Sequence, residues 1–156
     1  MADQVGDAYL RHVDLIRHEV VSLAEAMPSD KYDFRPTGGV RTFGEQLKHV
    51  ATMIYMASAV VLQEKPPYGP GRNDNGPDTV LSKEQIVEYL KASVDYAKRA
   101  MASLTEGNHL DPIKTYFGTQ LRIEVADAMV YHTFDHYGQM VIYARMNGIV
   151  PPASRK

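Results

Sequence analysis

Apolar residues recur every three or four positions along four long stretches of the chain, and this spacing predicts helices. The predicted helices cover residues 3–27, 42–64, 82–105 and 120–147. No stretch shows the alternation of apolar and polar residues that is typical of a strand. Four long helices in a chain of 156 residues predict an all-α four-helix bundle, formed as a single domain by residues 1–156.

Two of the predicted helices begin with a capping signal. Thr42 is followed three residues later by Glu45, and Ser82 is followed at the same distance by Gln85. This spacing predicts a capping box, in which each side chain of the pair bonds the backbone amide of the other residue. Gly107 is expected to end the third helix, because glycine is the commonest residue just beyond a helix C-terminus.

The second predicted helix is unusually apolar, with no charged residue from Val50 to Leu62. A helix that is apolar on most sides must be covered on most sides, and exposed apolar surface of this extent often marks an interface. We therefore expect a two-fold homodimer that buries part of this helix. The Pro- and Gly-rich residues 64–81 predict a long loop, sufficient to cross the bundle or to cover a site.

Composition excludes several classes of protein. The sequence has no cysteine, so disulfides, cysteine-bound metal and a cysteine nucleophile are excluded. Lys and Arg number 17 against 19 Asp and Glu, which lacks the basic surplus of a nucleic-acid-binding protein. No run of 18 apolar residues predicts a membrane span. The first ten residues resemble no signal peptide, and we expect a cytoplasmic location.

Two histidines lie in the apolar stripe of the fourth predicted helix. His132 and His136 are one turn apart, so their rings point the same way and suit one metal ion. His49, on the second predicted helix, offers a third imidazole near the bundle interior. Three histidine ligands would leave a coordination position open, as in catalytic metal sites. The alternative interpretation is that these are core histidines hydrogen-bonded within the protein.

Other polar residues are candidates for supporting roles. Gln139 lies one turn beyond His136 on the predicted inner face, and Asp135 is placed to orient an imidazole through its free ring nitrogen. His12 falls on the predicted core face of the first helix, and Glu45 lies one turn before His49. A haemerythrin-like carrier with two irons would need such additional ligands.

Two longer motifs resemble those of a known family. The first is MPSDKYDFRPTGGVRTFGEQLKH at residues 27–49, and the second is HTFDHYGQMVIYARMNGIVPP at residues 132–152. They resemble the motifs of the DinB-like family, the superfamily that includes metal-dependent bacillithiol and mycothiol S-transferases. The resemblance spans almost the whole chain and is far more specific than the HxxxH spacing alone. It implies a four-helix bundle that is often dimeric.

The resemblance also implies the metal ligands. The three metal-binding histidines of the family correspond to His49, His132 and His136, and Gln139 matches the glutamine of the family's last motif. The chain departs from the family at Tyr137, where many relatives carry arginine.

These observations together predict a metal-dependent enzyme. Imidazole ligands suit zinc and nickel equally, so either divalent ion is expected as the cofactor. The resemblance implies transfer of a low-molecular-weight thiol to a small electrophile, with small molecules rather than nucleic acid or membrane as partners. A hydrolase that uses metal-bound hydroxide and a non-catalytic metal-binding bundle are the alternatives.

Overall fold

A computed structural model describes residues 3–155, and it confirms the predicted all-α four-helix bundle. The first helix contains a π-helical turn that the sequence did not indicate. The bounds are as follows: α1 comprises Gln4–Ile16, the π turn Arg17–Val21 and Ser22–Ala26, α2 is Phe43–Leu62, α3 is Lys83–Ala102, and α4 is Arg122–Met146.

The packing of the helices places α1 and α2 at opposite corners of the bundle. Helix α3 packs against both α1 and α2, and α4 does the same from the other side. The connection from α1 to α2, residues 27–42, therefore crosses the bundle, whereas the longer loop at residues 63–82 joins two neighbouring helices. The apolar faces of all four helices form one core, and its fully buried side chains include Val13, Ile16, Leu23, Leu47, Ile54, Leu90, Val94, Met101 and Met140.

Both predicted capping boxes are confirmed. The Glu45 amide donates to Thr42 Oγ1 at 3.1 Å, and the Thr42 amide donates to a carboxylate oxygen of Glu45 at 2.8 Å. Ser82 and Gln85 make the equivalent pair at the start of α3, at 3.2 and 3.0 Å. The first turn of α2, which leads to the candidate ligand His49, is thereby fixed at its N-terminus.

The predicted end of the third helix was wrong. Helix α3 ends at Ala102, and Gly107 lies in the chain reversal beyond it. The side chain of Asn108 closes this reversal, because it donates to the Ser103 carbonyl at 2.9 Å and accepts from the Thr105 amide at 2.9 Å. The chain beyond α3 is thus held by an asparagine side chain rather than by the expected glycine at the helix end.

The expectation that the chain has no strand was also wrong. Strands β1, Pro112–Thr115, and β2, Gly118–Leu121, pair antiparallel as a short hairpin immediately before α4. Gly118 has a φ of 100°, a conformation that glycine adopts without strain. Ile113 is buried against the bundle, so the hairpin is held by tertiary packing as well as by its own ladder.

The apolar residues of α2 are covered within this single chain. Every residue from Val50 to Leu62 is buried or half-buried in the isolated bundle. The most exposed large apolar side chains of the described residues lie elsewhere, notably Leu81 and the hairpin residues Tyr116 and Phe117. The homodimer through α2 stays a prediction. None of the helices in residues 3–155 has the length and hydropathy required to cross a bilayer.

The loop between α2 and α3 folds back over α2. The turn Arg72–Asp74 of this loop is closed by a single backbone β-bridge between Gly71 and Gly76. Lys48 of α2 also holds the loop, because its Nζ donates a hydrogen bond to the Pro77 carbonyl at 3.0 Å. At Gly76, whose φ is 70°, a Cβ atom would lie 2.6 Å from a side-chain oxygen of α2, so the loop and helix approach closely. This docking brings loop backbone next to His49.

Candidate metal centre

The structure brings the three predicted ligands together. His49 from α2 and His132 and His136 from α4 each offer one ring nitrogen, and these three atoms lie within 4.8 Å of one another. The Nε2 atoms of His49 and His132 are 3.2 Å apart. Two metal–nitrogen bonds of about 2.0–2.1 Å at a tetrahedral angle place their nitrogens about 3.3 Å apart. The spacing therefore fits a single divalent ion.

The loop over α2 sets the tautomer of His49. The Nδ1 atom of His49 lies 2.9 Å from the backbone carbonyl oxygen of Asp74. A carbonyl oxygen only accepts hydrogen bonds, so the network assigns the ring hydrogen to Nδ1. The lone pair of the neutral ring is then on Nε2, the nitrogen that faces the other histidines.

A chain of side-chain hydrogen bonds orients His136. Gln139 Nε2 donates to Asp135 at 3.3 Å, Gln46 Nε2 donates to Gln139 Oε1 at 3.0 Å, and His136 Nδ1 donates to Gln46 Oε1 at 2.5 Å. The carboxylate only accepts, and this fixes the direction of every bond along the chain. We call this chain of four residues the Asp135 relay. It leaves the lone pair of His136 on Nε2, as in the support commonly seen behind metal-binding imidazoles.

His132 is the ligand without such support. Its Nδ1 is buried and has no hydrogen-bond partner among residues 3–155. Because His49 Nε2 carries a lone pair, the neutral ring of His132 can donate to it from Nε2 in the metal-free protein, and the Nδ1 atom that stays buried without a partner costs about 1–3 kcal/mol. A metal ion would replace the proton between these two Nε2 atoms, so the convergence of the ring nitrogens, rather than the unpaired Nδ1, is the observation that fits a metal ion.

Burial keeps the three imidazoles neutral, the form that binds metal. It lowers the pKa of His132 and of His136 to about 4, with the neighbouring imidazoles and Arg41 adding to the effect. The pKa of His49 is also lowered, mainly by burial. The direction agrees with the general rule that burial disfavours the charged form.

The supporting residues differ in part from the prediction. Gln139 is exposed rather than buried on the inner face, although it still reaches the site through the Asp135 relay. Asp135 is exposed, and its bond goes to Gln139 and not directly to an imidazole. Tyr137 is half-buried outside the triad. Gln46, which makes the direct contact with His136, was missed, although its place one turn before His49 was a usable signal.

The candidates for a second metal ion do not join the centre. His12 is exposed on α1, so its predicted place on the core face was wrong. The carboxylate of Glu45 is engaged in the capping box. Within the described part of the chain, the three histidines form the one cluster of at least three potential ligands, and it includes neither His12 nor Glu45.

Comparison with known proteins identifies the family. The sequence model of the DinB superfamily matches residues 12–140, most of the chain. The chain belongs to the DinB superfamily. No curated protein matches this DinB-superfamily chain significantly.

Solved structures of DinB-like proteins share this fold. A DinB-like protein from Bacillus cereus superposes with a TM-score of 0.78 at 15% identity, covering 97% of this chain and 98% of its own. A DinB-like protein from Bacillus subtilis gives 0.73 at 18% identity, with 96% and 99% covered. A putative member of the family from Exiguobacterium sibiricum gives 0.70 at 20% identity, with 95% of each chain covered. At these identities the likeness shows that this DinB-superfamily chain shares their fold.

Proposed function

We propose that this protein is a metal-dependent enzyme that transfers a low-molecular-weight thiol to a small electrophile. The observation that carries the proposal is the convergence of three neutral imidazoles, two of them fixed with their lone pairs toward the others. The resemblance to the DinB-like family, which includes thiol S-transferases, supports the choice of thiol chemistry.

The residues of the centre favour activation of an external thiol. A bound zinc or nickel ion supplies positive charge that lowers the pKa of a thiol at the same site. The three histidines add no negative charge, so they leave the full charge of a divalent ion available. Because the chain has no cysteine, the sulfur must come from a substrate.

The transfer itself balances without a redox partner. The thiol loses its proton to solvent, and its sulfur donates an electron pair to form a carbon–sulfur bond with the electrophile. The bond to the leaving group breaks, and that group departs with its electron pair. The chain contributes position: α2 and α4 hold the ligands rigidly, which favours proximity of the two reactants.

Two alternatives use the same residues. Three histidines and an open position are also typical of sites that activate water for hydrolysis. A bundle that binds a metal without catalysis would retain the triad as well. The arrangement of the ligands is common to all three functions. They are therefore distinguished by the reaction that the metal-bound protein carries out.

The experiment is a titration of cobalt-substituted protein with bacillithiol, mycothiol and glutathione. A thiolate bound to cobalt gives a sulfur-to-metal charge-transfer band, which we expect in the wild type and not in His132→Ala. His12→Ala is the matched control, because it removes an exposed histidine outside the centre. If no thiol gives the band and the zinc form cleaves an ester, the protein is a hydrolase. If neither reaction occurs, the bundle only binds metal.

A further inference from the structure

A cavity of about 520 Å³ lies beside the metal centre. It is formed between the α1–α2 connection, the start of α2, the loop over α2 and the outer part of α4, and it shares Gln46 and Gln139 with the Asp135 relay. Two arginines and two further amides complete most of its lining: Arg35, Arg41, Asn73 and Asn75. The polar part of the lining thus comprises four amide side chains, two arginines and the carboxylate of Glu45.

Arg41 is held in place by neutral groups. Its Nε donates to Asn75 Oδ1 at 2.9 Å, and its Nη2 donates to the Asn73 carbonyl at 2.9 Å. A guanidinium carries five N–H groups, so three remain, on Nη1 and Nη2. No carboxylate oxygen of residues 3–155 lies within 4.0 Å of this guanidinium. Its charge is fixed, half-buried and uncompensated.

Glu45, the carboxylate that lines the cavity, does not neutralise the charge of Arg41. Glu45 is engaged by the Thr42 amide at 2.8 Å, and Arg35 Nη2 lies 3.8 Å from its carboxylate. Two arginines against one glutamate leave the lining with one net positive charge. Asp135 is the carboxylate of the nearby relay, and it accepts a hydrogen bond from Gln139.

We propose that this cavity binds a carboxylate of the substrate, with the free N–H groups of Arg41 as its principal contact. A planar carboxylate matches the fork of an arginine, which can donate two parallel hydrogen bonds. Anchored there, an acid that also carries a thiol has its sulfur directed to the three histidines. The thiol part of this inference rests on the proposed function, whereas carboxylate binding does not.

The first test uses metal-free protein and no thiol. Succinate is titrated calorimetrically into wild type, Arg41→Gln and Arg72→Gln. The last variant changes an exposed arginine of the loop over α2 that does not line the cavity. A charged hydrogen bond is worth about 1.5–3 kcal/mol, so Arg41→Gln should raise the Kd about 10–100-fold. Arg72→Gln should change it less than about threefold, as expected for a screened surface charge.

Further variants keep the test decisive. Because Arg41 also holds the loop, Arg35→Gln provides a second variant, which should weaken succinate binding without touching the Asn73 and Asn75 contacts. Arg41→Lys retains the charge and loses the fork, so its Kd should fall between those of wild type and Arg41→Gln. Equal binding of inorganic phosphate, or succinate binding unchanged in Arg41→Gln and Arg35→Gln, would overturn the carboxylate site.

The second test separates this inference from the proposed function. Cobalt-substituted protein is titrated with mercaptosuccinate and with 2-mercaptoethanol, which lacks the carboxylates. The wild type should saturate at about tenfold less mercaptosuccinate than 2-mercaptoethanol, and Arg41→Gln should require similar concentrations of the two thiols. Arg41-dependent succinate binding without any thiolate band would refute thiol transfer alone. Equal bands from both thiols without succinate binding would refute the carboxylate site alone.

Discussion

Helices α2 and α4 meet along two adjacent stretches that differ in their chemistry. The first is almost fully buried, and the second contains the half-buried His132. In the first, Ser58 donates to Met129 Sδ at 3.6 Å, Thr133 donates to the Met129 carbonyl at 2.7 Å, and Ala126 of the same helix is fully buried. In the second, His132, three residues after Met129 on α4, meets His49 and has a buried ring nitrogen without a partner among the described residues. The polar groups of the first stretch are satisfied within the chain, and those of the second are not.

On this helix pair, the first stretch therefore contributes to stability, and the second holds the candidate metal ligands. Apolar burial in the first stretch contributes to folding and needs nothing from outside. The second stretch costs free energy in the protein alone, because a buried ring nitrogen of His132 has no hydrogen-bond partner in the described part of the chain. Strained and unsatisfied groups of this kind cluster at functional sites in native proteins. The predictions below test whether the two stretches are separable in this way.

The largest effect is expected from the ligands themselves. Each of His49→Ala, His132→Ala and His136→Ala should weaken zinc affinity by more than about 100-fold, because loss of even a supporting partner costs about 10–100-fold. Competition with a chromophoric chelator measures the affinity. His12→Ala, which changes an exposed histidine, should bind zinc as the wild type does. Binding that survived all three ligand changes would place the metal elsewhere.

The apolar stretch should respond in the opposite way. Met129→Ala removes a side chain that is 2% exposed, and such truncations lower the free energy of unfolding by about 2–5 kcal/mol. Urea denaturation of the metal-free protein measures this loss. In the folded protein, zinc affinity should change less than about threefold, since no ligand or relay contact is removed. A large loss of affinity would show that the two stretches are coupled.

Gln46 tests the support behind one ligand. Gln46→Ala removes the acceptor that fixes His136 and breaks the Asp135 relay, so zinc affinity should fall about 10–100-fold. Gln46→Glu, measured by the same chelator competition, should restore much of the loss because an acceptor again faces Nδ1. If both variants bound zinc like the wild type, the relay would have no role in holding the ligand.

The sequence predicted those parts of the site that depend on local spacing. His132 and His136 follow from the period of one helix, and both capping boxes follow from residues three apart. The contact of His49 with the Asp74 carbonyl was not predictable in this way, because it depends on how a 20-residue connection docks on α2. The hairpin was missed for a similar reason. Its strands have four residues each, and the burial of Ile113 is decided by packing against the bundle.

The smallest effect compares the caps of two helices. Thr42→Ala and Ser82→Ala each remove an N-cap oxygen, so each should lower the free energy of unfolding by about 1 kcal/mol in urea denaturation. Only α2 carries Gln46 and His49 close to its capped end. Thr42→Ala should therefore also weaken zinc affinity by about threefold, a fraction of what losing the Gln46 contact would cost, whereas Ser82→Ala should leave it unchanged. Equal zinc affinity in the two variants would mean that contacts with α4 and the loop, rather than the cap, hold the start of α2 in position.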